Sequence, residues 1–180
     1  MKIEEKNWSK TLLETYSHLE NICGAIDKMV LSFGIKSVSA NCNVEYIANK
    51  MISLTERKKF FIKIKLLVDR VLERMNNKLS RVLVLKYIDK MSSNLASGAL
   101  KVSMRTYFRR INMAIDEFWK NLCKMGYSTK KLADIFCDEK WIMEIYDSFC
   151  KKEQEENIFD SMSFINMAIG SFHRKQCSSI

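Results

Sequence analysis

Not one proline occurs in the 180 residues of this chain, and glycine occurs only five times. Tight turns draw on those two residues, so a many-stranded sandwich or barrel would lack its turn chemistry. Long helices need few of them, and the expected fold class is all-α. With 47% hydrophobic and 28% charged residues the balance is that of an ordinary globular protein. A chain of this length can build one domain with a real core and carry a helical appendage.

The hydrophobic period supports this reading. From Trp8 to Phe33, the residues Leu12, Tyr16, Leu19, Ile22 or Cys23, Ile26 and Val30 recur at steps of three and four, one apolar stripe of a helix. Gly34 to Asn43 is small, polar and aperiodic, and reads as a hairpin loop. A second long helix is expected over Val44 to Met75, with Ile47, Met51, Leu54, Phe61, Ile64, Leu67 or Val68, and Val71 on its stripe. Two long helices joined by a short loop pack as an antiparallel hairpin. Asn76 and Asn77 break the pattern, and Leu79 to Ile88 is a compact apolar helix. Gly126 stands where glycine commonly stops a helix. Beyond it Ser128 or Thr129 can cap a helix over Lys130 to Phe136, and Asp138 another over Lys140 to Cys150. Ile158 to Phe172 is weakly amphipathic. The expected organisation is a helical hairpin over 1–75, a helix-turn-helix over 76–125 and a helical extension over 126–180.

Charge is unevenly spread. The chain carries +9 overall, but Lys50 to Lys131 holds 20 Lys and Arg against 6 Asp and Glu, a net of +14, leaving −5 for the flanks. A basic middle of this strength points to a polyanionic partner. Six cysteines form no Cys-x-x-Cys pair and only two histidines occur, His18 and His173, so zinc-ligand spacing is absent and neither a metal nor another cofactor is expected. The cysteines read as free thiols of a reducing cytoplasm. Met1 to Lys10 lacks the apolar core of a signal peptide, and no apolar run approaches the roughly 20 residues that cross a bilayer. Asp116 and Glu117 are adjacent and point different ways round a helix, which suits no acid–base pair. Gly-rich phosphate loops and nucleophile motifs are missing, so an enzyme is not expected.

The informative stretch is Leu79 to Phe118. Ser92 or Ser93 can cap a short helix ending near Leu100, Lys101 and Val102 make a turn, and Ser103 caps a second helix. That second helix turns Met104, Arg105, Phe108, Arg109 and Asn112 outward, with Tyr107, Ile111, Ala114 and Ile115 inward. Arg105 and Arg109 lie one turn apart, so both can point into one groove, where a guanidinium pairs with guanine's two acceptors or clamps a phosphate. Arg110 is the third arginine of this run. The cluster Arg57, Lys58, Lys59, Lys63 and Lys65 reads instead as a wet helix face. Phe60, Phe61, Trp119 and Trp141 read as core aromatics.

Arg81, the run Val82 to Leu85, Tyr87–Ile88, Ser92, Leu100, the run Val102 to Thr106, Arg109, Ala114–Ile115 and Phe118 together carry a pattern. It resembles the C-terminal helix-turn-helix of sigma-70-like regulators, region 4, and is most similar to the phage-encoded ArpU-type late regulators. The upstream layout of helix, Ser-rich loop and helix is similar too, so the resemblance covers about Leu12 to Phe118. It departs from the pattern at Lys101, a turn position often held by glycine, and at Gly98 inside the first motif helix. The resemblance implies a double-stranded DNA-binding transcriptional regulator. The helix from Ser103 would lie in the major groove with Ser103, Arg105, Thr106, Arg109 and Asn112 near bases or phosphates. Arg81, Ser92 and Lys101 would flank the phosphate backbone, positioning rather than specifying. RNA polymerase is a further partner that the likeness implies, and the hairpin offers an interface for a homodimer. The alternative is a helical interaction module whose basic face meets an acidic protein.

Overall fold

The computed structural model describes residues 1–37 and 43–153, and those residues form helices and no strand. The elements are α1 (Ile3–Ser37), α2 (Val44–Glu73), α3 (Asn77–Leu83) running into a π-helical turn (Val84–Ile88), α4 (Ser93–Ala99), α5 (Met104–Lys124), α6 (Thr129–Phe136) and α7 over 140–153. The all-α expectation holds, and so does the opening hairpin: α1 and α2 pack along their length. Leu12, Leu19 and Ile26 of the α1 stripe meet Phe61, Ile64, Leu67, Val68 and Val71 of α2 in the core. Each such side chain taken fully from water is worth about 1.5–3 kcal/mol. Polar cross-links fix the register on one side of the pair. The Tyr16 hydroxyl donates to Asp69 at 2.7 Å, Lys65 lies 3.7 Å from Glu20, and Lys58 lies 2.6 Å from Asp27.

α1 begins earlier and ends later than its apolar stripe suggests. It starts at Ile3 and takes Gly34 to Ser37 into the helix, leaving 38–42, the centre of the expected loop, outside the described residues. Most of the circumference of its first half is buried: Asn7, Ser9, Thr11 and Thr15 have no exposed surface, beside Trp8, Leu12 and Leu13, and Lys6, Lys10, Glu14 and Ser17 are half-buried along the remaining side. Small polar side chains let neighbouring helices come close. Two of the hydroxyls are satisfied locally, Ser9 Oγ donating to the Glu5 carbonyl at 2.9 Å and Thr11 Oγ1 to that of Asn7 at 2.8 Å, whereas Thr15 Oγ1 and Asn7 Oδ1 have no hydrogen-bond partner among the described residues. Trp8 stacks on Tyr146 of α7 at 4.4 Å between ring centroids and on Phe136 of α6 at 5.8 Å. The first helix is thus the axis round which the others assemble, and one cluster of buried side chains runs from Trp8 to Ile142.

The break at Asn76 is a cap. Its side chain accepts from the Lys78 amide at 2.9 Å and starts α3 two residues before the apolar run. The helix then widens, with Asp89 N–H donating to the Val84 carbonyl at 2.9 Å, five residues back. Asp138 does not cap the last helix, which begins after Glu139. The Glu139 carboxylate instead accepts two hydrogen bonds from Arg57, at 3.0 and 2.7 Å, and one from Trp141 Nε1. The weakly amphipathic stretch 158–172 lies outside the described residues. No helix among the described residues is long and apolar enough to cross a membrane.

Candidate nucleic-acid interface

Two short-range devices build the site. Ser92 caps α4, its Oγ accepting from the Leu95 amide, and Ser103 caps α5, its Oγ accepting from the Thr106 amide at 3.3 Å. The Ser103 and Thr106 hydroxyls also meet each other at 2.9 Å. Between the helices the chain reverses in three residues. Leu100 closes α4, Lys101 takes a left-handed conformation with φ 51°, and the Val102 amide returns to the Ser97 carbonyl at 3.1 Å. Glycine is the ordinary occupant of such a position because it carries no Cβ. Val102 is half-buried against the core, and Ser97 Oγ donates to Met104 Sδ at 3.2 Å across the turn. The chain therefore does not run straight on from Met91. Two helices meet at a tight corner, and α4, α3 and α1 pack against α5.

α5 is sharply two-faced. Tyr107, Ile111, Ala114, Ile115, Phe118, Trp119 and Leu122 are buried. Arg105, Phe108, Arg109 and Asn112 are exposed on the opposite side. Met104, expected outward, is half-buried, because its sulfur is drawn to Ser97. Among the described residues no carboxylate pairs with Arg81, Lys101, Arg105, Arg109 or Arg110. Glu117, two turns beyond Arg110, is turned away, its carboxylate accepting from the Asn76 amide at 2.8 Å. Arg105, Arg109 and Asn112 thus form one open stripe.

The remaining cations gather elsewhere. A cleft of about 520 Å³ opens between α3, the α4–α5 turn and α5, lined by Asn77, Lys78 and Arg81, by Ala99 to Val102, and by Arg110. Among the described residues four cations and no carboxylate line it. Arg110 is half-buried and faces this cleft, away from Arg105 and Arg109. The structure therefore divides the sequence candidates into a stripe (Arg105, Arg109, Asn112), a cleft (Arg81, Lys101, Arg110) and three hydroxyls used as caps or beside one (Ser92, Ser103, Thr106). Lys78 was not among them. Its signal was the Asn76 cap, which puts Lys78 in the first turn of α3, one turn before Arg81.

The basic run of α2 behaves differently. Arg57, Lys58 and Lys65 are held by Glu139, Asp27 and Glu20. Phe61 and Trp119 are buried and Phe60 and Trp141 half-buried, as core aromatics. Cys23, Cys123, Cys137 and Cys150 are free thiols. Burial pushes the Cys23 and Cys123 thiols up from their ordinary range, away from the reactive thiolate form.

No curated protein and no solved structure matches the chain. One family profile does, described as a protein of unknown function (DUF1492), over residues 24–119. That span is more than half of the 180 residues, from the middle of α1 through the corner and most of α5. The chain belongs to the DUF1492 family.

Proposed function

We propose that this chain binds double-stranded DNA and acts in transcription control, with α5 in the major groove. The observation that carries the reading is the open arginine stripe. Arg105 and Arg109 stand one turn apart on a helix held clear of its support by the Lys101 corner, and no carboxylate among the described residues occupies them. A guanidinium left in water on a convex helix is free to take the two acceptors of guanine or a phosphate. The cleft supplies the second half. Lys78, Arg81, Lys101 and Arg110 converge beside the start of α5 and would take the phosphates of the strand flanking the groove. Control of transcription, with RNA polymerase as a further partner, rests on the likeness to sigma-70 region 4.

Anisotropy titration of a labelled random-sequence duplex tests the reading. With six cations engaged, affinity should fall about a thousandfold between about 50 and 200 mM salt. On a preferred sequence, Arg105→Ala and Arg109→Ala should each cost about 1–3 kcal/mol of binding. Absence of duplex binding at the lower salt overturns the proposal and leaves an acidic protein as the partner of the basic face.

A further inference from the structure

α2 carries a second stripe that the hairpin does not use. Opposite its buried side, Ala48, Ile52, Thr55, Lys59, Ile62 and Leu66 follow one another at steps of four, three, four, three and four, the spacing of a helix–helix seam. All six are exposed: Ile52 is 56% exposed, Ile62 40% and Leu66 48%. The Thr55 hydroxyl is already satisfied, donating to the Met51 carbonyl at 2.8 Å, so its methyl is left to pack. Leu31 and Ile35 of α1 and Val44 of α2 are also exposed, near the tip of the hairpin.

We infer that this face is the interface of an antiparallel homodimer, α2 lying on α2 of a second copy. The order of residues is what selects a second copy. Read from either end the stripe has the same spacing, symmetrical about the level of residue 57. Turned round a two-fold axis there, Ala48 of one copy meets Leu66 of the other, Ile52 meets Ile62, and Thr55 meets Lys59. Small lies against large at each end, and two isoleucines pair in each half. A two-fold interface requires such self-complementarity, since the contact of i with j must equal that of j with i. Charge agrees. Glu56 has no ion pair among the described residues and lies at the centre, within reach of Lys59 of the other copy, which is also unpaired.

The dimer does not depend on the DNA reading, and its test needs no DNA. Sedimentation equilibrium at about 100 µM should give twice the 21.1 kDa chain mass. Ile62→Glu and Ala48→Arg, both on exposed positions, should each return it to a monomer with an unchanged helical spectrum. Mixing Ile52→Cys protein with Ile62→Cys protein should form a cross-disulfide above the background of the native cysteines, while either alone should not. A monomer at that concentration overturns the inference, and so does a dimer that survives both charged substitutions. A disulfide between like positions, Ile52→Cys with itself, would show a parallel pairing and overturn it as well.

Discussion

Lys101 is the residue at which the corner can be weighed. It holds φ 51°, a conformation that costs an L-residue roughly 1–2 kcal/mol against its Cβ. Its side chain is exposed and makes no ion pair with the described residues, so nothing in the folded chain repays that cost through the charge. Lys101→Gly removes the Cβ, and gives back about 0.5–1 kcal/mol through the greater freedom of glycine in the unfolded chain. The net expectation is a gain of about 0.5–1 kcal/mol, or a rise in Tm of about 1–4 °C for a chain of this size. Lys101→Ala is the control. It loses the same charge and keeps the Cβ, so its stability should stay within about 0.5 kcal/mol of the parent. Urea unfolding of the three proteins measures the difference. Both variants should also lose one cation from the cleft, lowering the salt slope of DNA binding by about one. If Lys101→Gly proves no more stable than Lys101→Ala, the corner is not strained, and the account of how α5 is held is wrong.

Two further outcomes follow from local contacts. Ser103→Ala removes the hydroxyl that holds the Thr106 amide and should cost about 1 kcal/mol in thermal unfolding, since no other side chain caps α5. Alkaline titration should also destabilise the fold. Burial and the hydrogen bond to Asp69 push the Tyr16 hydroxyl up to about 12, and burial and Cys150 do the same for Tyr146. A group raised in the folded state gives stability that is whole below the unfolded value near 10 and is lost as pH rises towards 12. Tyr16→Phe should flatten that loss in urea midpoints measured across the range; an unchanged slope would refute the assignment to Tyr16.

The parts of this molecule governed by short-range rules were readable. The α1–α2 stripe has a clear helical period, and Ser92, Ser103 and Ser128 cap their helices because the hydroxyl and the amide it holds are three residues apart. What escaped depends on distant chain. Asn7, Ser9, Thr11 and Thr15 fall off the apolar stripe of α1, and their burial depends on distant elements, α5, α6 and α7, packing round that helix. Asp138 looked like a cap, yet the Arg57 guanidinium, 82 residues upstream of Glu139, settles on Glu139 at the start of α7. The arginine stripe could be read off α5 alone. The cleft could not, because Arg110 meets Lys78 and Arg81 only through the packing of α3 on α5.

The stacking of Trp8 between Phe136 and Tyr146 sets an order of events during synthesis. The segment that becomes the axis of the molecule leaves the ribosome first, but the rings that close over its indole come 128 and 138 residues later. At translation rates of roughly 5–20 residues per second, the nascent helix waits roughly 7–28 s with that ring uncovered. The α1–α2 hairpin and the corner can form in the meantime from neighbouring chain. The Trp8 indole is therefore covered only once α6 and α7 have been made, although it is among the first side chains synthesised.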